Sequence, residues 1–143
     1  MTENLFQLVY TSKRRPECSD TEIDKILASC KKNNPLKNIT GVLLYSDEMF
    51  IQYLEGNSKE ILALYDAIKE DSRHERSVLI SYGPLQERAF PQWHMGAKTL
   101  TENHVDFHTE ITTEDQEVLN AVLRGEKQEG LSALNLLKKF FNN

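Results

Sequence analysis

Cysteine is scarce in this chain: Cys18 and Cys30 are the only two among 143 residues. They are too few and too widely spaced for a zinc site or a disulfide framework. Cys30 falls on the apolar stripe of a helix, which reads as a buried thiol. Long hydrophobic runs are missing too. No stretch approaches the roughly 20 apolar residues of a membrane span, and the N-terminus carries no signal-peptide core. Positive charge is in deficit, with 17 Lys and Arg against 22 Asp and Glu and a net charge of −5. That balance argues against nucleic acid or an anionic membrane as a partner. The chain has no Gly-rich phosphate loop, no G-x-S-x-G elbow and no metal-spaced histidine pair. His104 and His108 stand at i, i+4, but Val105-Asp106-Phe107 between them looks irregular, so both read as surface histidines. What remains is a one-domain cytoplasmic protein, large enough to bury a core without disulfide or metal.

The most informative stretch is Phe50-Ile51-Gln52-Tyr53-Leu54-Glu55-Gly56. Its residues favour a strand, with apolar side chains on both faces. Phe50, Gln52 and Leu54 share one face, and Ile51, Tyr53 and Glu55 the other. Gln52 is therefore an amide among hydrophobes, and leaving it unpaired would cost roughly 1–3 kcal/mol. Leu5–Tyr10 is a first strand with Phe6, Leu8 and Tyr10 on one face. Ser19 and Glu22 form a capping box for a helix whose stripe is Ile23, Ile26, Leu27 and Cys30, expected to end near Asn33 because Pro35 disfavours a helical Asn34. Asn38–Tyr45 is a second strand and forms a hairpin with the Phe50 strand. Asn57-Ser58 opens a second helix, buried through Ile61, Leu64, Tyr65 and Ile68. Ser77–Tyr82 is a further strand, and Phe90–Gly96 leads into a last edge strand, where Pro91 is tolerated.

This order defines an α+β, ferredoxin-like βαββαβ(β) sheet with two helices on one face. Two more helices are expected from about Thr112, capped by Thr113 and Gln116 and covering the second face. The expected division is residues 1–100 for the sheet domain and 101–143 for the helical extension. Phe140 and Phe141 either complete the core or form a patch for self-association.

By parity Tyr10 and Gln52 share the helix-covered face, Asn33 and Asn34 end the first helix beside it, and Arg73 and His74 leave the second. Trp93 and Met95 share one face of the last segment. Singly, each has a structural reading: Tyr10 as core filler, Asn34 as a pre-proline turn residue, Trp93 and Met95 as packing. Their convergence on one gap between two helices is more telling.

In order and spacing, Tyr10-Thr11-Ser12, Asn33-Asn34-Pro35, Asn38-Ile39-Thr40-Gly41, Phe50–Gly56, Asp71-Ser72-Arg73-His74 and Trp93-His94-Met95 resemble the BLUF domain, the sensor of blue light using FAD. The resemblance covers roughly residues 4 to 100; with its two-helix tail the chain is similar to the short, stand-alone members. It implies non-covalent FAD with the flavin ring between the two helices. Tyr10 would be the electron donor, bonded to Gln52, and Gln52 would face the ring's N5 and C4 carbonyl edge. Asn34 would bond the C4 carbonyl and N3 edge, with Asn33 a more variable neighbour. Arg73 would lie near the C2 carbonyl, His74 near the ring, and Ile26 and Ile39 against it. Trp93 and Met95 would carry the signal, and which of them points inward stays open, as does rotation against tautomerisation of Gln52. The implied protein is a photoreceptor and not an enzyme, a homo-oligomer acting on a downstream protein effector. Two other readings share the topology. An acylphosphatase-like hydrolase needs an anion loop after the first strand, where Lys13-Arg14-Arg15 lacks glycines; the other is a cofactor-free dimeric interaction module.

Overall fold

The computed structural model describes residues 5–71, 74–101, 104–105 and 112–141. Its elements follow the expected alternation: β1 (Leu5–Arg14), α1 (Asp20–Lys37), β2 (Thr40–Tyr45), β3 (Met49–Asn57), α2 (Ser58–Glu70) and β4 (His74–Pro84). Then come β5 (Gly96–Thr101), β6 (His104–Val105), α3 (Thr113–Leu123) and α4 (Ser132–Phe141). The strands form one sheet in the order β4-β1-β3-β2-β5-β6, antiparallel throughout except where β5 runs parallel to β2. The first four strands with α1 and α2 are the ferredoxin-like unit, and β5 extends it beyond β2.

Side-chain parity along β3 sorts the interior into two cores. Leu8, Tyr10, Leu43, Phe50 and Leu54 pack with Ile23 of α1 and with Ile61 and Tyr65 of α2. Val9, Val42, Leu44, Ile51, Tyr53 and Ile80 pack on the other face with Leu119 and Val122 of α3 and with α4. Phe140 and Phe141 are buried in that second core, so they complete it and form no exposed patch. Each fully buried Leu or Phe of this kind contributes about 1.5–3 kcal/mol. That burial holds an amphipathic α4 against the sheet.

Local signals set the ends of the helices. Ser19 caps α1 by accepting from the Glu22 N–H, and Asn57 caps α2 by accepting from the Lys59 N–H. The α3 capping box is Thr112 with Asp115, one residue before the expected pair. α1 does not stop near Asn33 but continues through Pro35 to Lys37. In a last turn, proline forfeits one backbone bond without breaking what precedes it. Asn38 then closes the helix in the left-handed region (φ 57°), its N–H reaching the Asn34 and Pro35 carbonyls. Asn38 is thus a cap and β2 begins at Thr40. Between β4 and β5 the chain is irregular from Leu85 to Met95, and the strand starts only at Gly96.

Candidate functional site

The centres of β1 and β3 place Tyr10 and Gln52 directly opposite each other. The Tyr10 hydroxyl donates to Gln52 Oε1. At the other end of the amide, Gln52 Nε2 donates to Met95 Sδ at 3.4 Å. Both ends of a buried amide are thus engaged, one of them by an oxidisable phenol. Tyr10 is fully buried, and burial pushes its phenol well above the usual value. Neighbouring Cys30, Tyr65 and Asp71 act in the same direction. The phenol stays protonated at ordinary pH and is held as a donor.

Above this pair a cleft of about 140 Å³ opens between α1 and α2. Ile26, Ser29 and Cys30 line it from α1; Leu64, Ala67, Ile68 and Asp71 line it from α2 and its end. Gln52 forms its floor, and Ser29 and Ala67 are exposed at its mouth. Apolar walls on facing helices over a donor–acceptor amide suit a flat aromatic ring with polar atoms on its edge. A cavity of roughly 150 Å³ holds a single benzene-sized ring. The donor set therefore fits a flavin, while a three-ring system enters only with α1 and α2 further apart.

The other expected site residues divide. Ile26 lines the cleft, whereas Ile39 is fully buried in the adjoining core. Asn34 is buried, and its Nδ2 donates to the His94 carbonyl at 2.7 Å, which ties α1 to the segment carrying Met95. Asn33 is exposed, with Nδ2 on Ser29 Oγ at 3.1 Å, and is not brought to the cleft. His74 opens β4 opposite Arg14; its side chain and the whole of Arg73 lie outside the described residues. Trp93 and Met95 do not share a face. Met95 is buried beside Gln52, while Trp93 stacks on Phe90 at 5.5 Å and meets Phe141 edge-on at 5.7 Å in the α3–α4 core. Residues 93–95 precede the strand, so the two-residue alternation of a strand does not govern them.

Sequence reasoning did not place Ser29, Cys30, Ala67 or Asp71 in the site. The helical period carries the signal for the first two, since Ser29 and Cys30 lie three and four residues beyond Ile26 on the same face. Lys13-Arg14-Arg15 is no anion cradle. Arg14 is buried and spends its guanidinium on the Cys18 carbonyl, the Ser46 carbonyl and Asp20.

A buried phenol–amide pair beneath a cleft between two helices, on a ferredoxin-like sheet, defines the class: a ligand-binding α+β module. A profile of the BLUF family, described as sensors of blue light using FAD, matches residues 5–96. The chain is 34% identical over 96 residues to the photoactivated adenylate cyclase subunit beta of Euglena longa, covering 66% of this chain and 11% of that protein. It is 32% identical over 84 residues to the blue light- and temperature-regulated antirepressor BluF of Escherichia coli K12, covering 57% of this chain and 21% of that one. The chain thus spans only about a tenth to a fifth of the length of these relatives. Among solved structures, the dark state of the BLUF protein BlrB superposes with a TM-score of 0.74 at 25% identity, covering 98% of this chain and 96% of that one. The chain belongs to the BLUF family and is a blue-light sensor that uses FAD. Among the described residues no helix is long and apolar enough to cross a membrane.

Proposed function

We propose that Tyr10 and Gln52 are the photochemical pair of this sensor and that Met95 is the first group to register their rearrangement. The carrying observation is the continuous path from the Tyr10 hydroxyl through the Gln52 amide to Met95 on the cleft floor. When bound between Ile26 of α1 and Leu64 and Ile68 of α2 over Gln52, FAD would supply a blue-light-absorbing ring able to accept an electron. Tyr10 would be the electron donor, its hydroxyl proton passing to Gln52 Oε1, the acceptor it already touches. Return of one electron and one proton restores the phenol, so the cycle is redox-neutral and nothing is consumed. Gln52 is left rotated or tautomerised, because an amide presents a donor and an acceptor on one rotatable group. Rotation moves the NH2 group away from Met95 Sδ, which loosens the contact holding the segment before β5.

Ile26 forms the wall of the ring site, and Ile39 backs it from the core. Asn34 either bonds the ring's edge or holds His94, and an exchange between the two couples cofactor and segment. Residues 1–100 act as the sensor and 101–143 as an extension that passes the response on. The chain acts by protein contact rather than by catalysis, as a cytoplasmic homo-oligomer with a downstream protein effector.

Absorbance of the FAD-loaded chain tests this reading. Blue light should move the visible band to the red, with recovery in darkness. Gln52→Leu should keep FAD and lose the shift, and Tyr10→Phe should block formation of the shifted state. A normal shift in Gln52→Leu would refute the assignment.

A further inference from the structure

Glu55 stands three residues after Gln52 on β3, faces the opposite side of the sheet and is fully buried. Its carboxylate accepts four hydrogen bonds. Oε1 takes the Tyr53 hydroxyl at 2.7 Å and the Ala89 N–H at 2.8 Å. Oε2 takes the Thr40 hydroxyl at 2.6 Å and the Phe90 N–H at 2.9 Å. Arg88 closes the cluster, donating to Thr40 Oγ1, the Glu55 carbonyl and the Asn38 carbonyl. Two backbone N–H groups of the irregular β4–β5 segment are thus fastened to the strand that carries Gln52.

Further along, the same segment is fastened again. The Trp93 N–H donates to the Phe90 carbonyl, the Trp93 carbonyl accepts from the Gly41 N–H, and the His94 carbonyl accepts from Asn34. Met95 comes next and meets Gln52. Glu55 does not line the cleft. The bonds from its carboxylate to Ala89 and Phe90 link it through residues 89–95 to the photochemical pair.

We propose that Glu55 is a positioning residue of the light response: by holding the Ala89 and Phe90 N–H groups on its two oxygens, it sets where Met95 meets Gln52. The proposal rests on the assignment of Gln52 above. It also explains why the residue is an acid rather than an amide. Each carboxylate oxygen receives one backbone N–H, and a backbone N–H cannot turn round. In Glu55→Gln, whichever way the amide lies, its NH2 faces one of the two. The Thr40 and Tyr53 hydroxyls, by contrast, can rotate to accept.

The test compares Glu55→Gln with Leu119→Ala, a core substitution in α3 that lowers stability but removes none of the hydrogen bonds to Glu55. In FAD-free protein, Glu55→Gln should speed amide exchange at Ala89 or Phe90 at least tenfold. It should also move the emission of Trp93, the only tryptophan, to the red. In FAD-loaded protein the light-induced red shift should persist and dark recovery should slow at least threefold, because the Met95 Sδ contact belongs to the unrotated amide and a loosened Met95 no longer draws Gln52 back to it. Leu119→Ala should lower the melting temperature with recovery unchanged. Recovery in Glu55→Gln that is faster than, or within 1.5-fold of, that of the unsubstituted chain, or an equal slowing in Leu119→Ala, overturns the proposal. Should Glu55→Gln fail to fold, Thr40→Val decides. It removes one donor to Oε2 and should likewise slow recovery; unchanged or faster recovery overturns the proposal. A red shift that survives Gln52→Leu strikes the Gln52 assignment instead, so the two failures are distinguishable.

Discussion

Gln52→Leu takes away the acceptor used by the Tyr10 hydroxyl, at a place where both side chains are buried. A buried hydroxyl that loses its acceptor costs about 1–3 kcal/mol. Tyr10→Phe removes the donor instead, while the amide keeps its contact with Met95 Sδ. Replacing both removes the polar groups together, and swapping both partners for apolar groups of similar shape is close to neutral. The double variant should therefore be more stable than Gln52→Leu alone. A coupling energy of about 1–2 kcal/mol is expected between directly bonded neighbours. At roughly 3 °C per kcal/mol for a domain of this size, the double variant should melt roughly 3–6 °C above the additive expectation. Urea unfolding of FAD-free protein is the right assay, since a bound ligand adds its own stabilisation and masks the cycle. Additivity within about 0.5 kcal/mol would show that the phenol and amide are mere neighbours.

Alkaline pH provides a second check. Burial raises the phenols of Tyr10 and Tyr53 above their ordinary value, with Glu55 adding to the shift at Tyr53. Both keep their protons when folded and lose them more readily when unfolded. Their contribution is therefore complete below about pH 10 and is lost as pH rises towards the folded values, by about 1.4 kcal/mol per pH unit for each phenol. Urea midpoints measured from pH 9 to 11.5 should fall, and Tyr10→Phe should flatten the slope; an unchanged slope would contradict a buried, protonated Tyr10. Gly96→Ala probes the other side of the sheet. A Cβ at Gly96 would overlap the Trp93 indole, so the substitution should shift Trp93 emission to the red and lower the melting temperature. Identical emission would mean that the indole does not lie against Gly96.

The fold was legible where burial follows a period. Alternation along residues 50–55 separates the two cores, and it places Tyr10 on the Gln52 face before any coordinate is known. Helix starts were legible from Ser19 and Asn57, since an N-cap is a local side-chain bond. Legibility fails where tertiary bonds override local preference. Pro35 reads as a stop, yet it lies in a final turn that Asn38 closes beyond it. Trp93 and Met95 have the parity of one face, but residues before β5 are fixed by bonds to Gly41 and Asn34 and follow no strand period. The bond of Asn34 to the His94 carbonyl, 60 residues along the chain, has no signature in the sequence. Glu55 was legible as a strand residue only. What fills its four bonding positions comes from β2, β3 and the β4–β5 segment together.

The opposite placement of Met95 and Trp93 determines how a change at Gln52 can spread. β3 itself is a poor carrier. It is paired over nine positions with β1 and six with β2, and any shift of the strand would break ladder bonds on both sides. The 85–95 segment has no such ladder, and it is held by a few named bonds. Met95 sits in the core under α1 and α2, while Phe90 and Trp93 sit in the core under α3 and α4. Close-packed interiors do not absorb a displaced side chain within a void. Were Gln52 to release Met95 as proposed, the displacement would fall on a segment whose Trp93 bears on Phe141 of α4. The sheet separates the two cores everywhere along its paired strands, and this segment joins them around its edge.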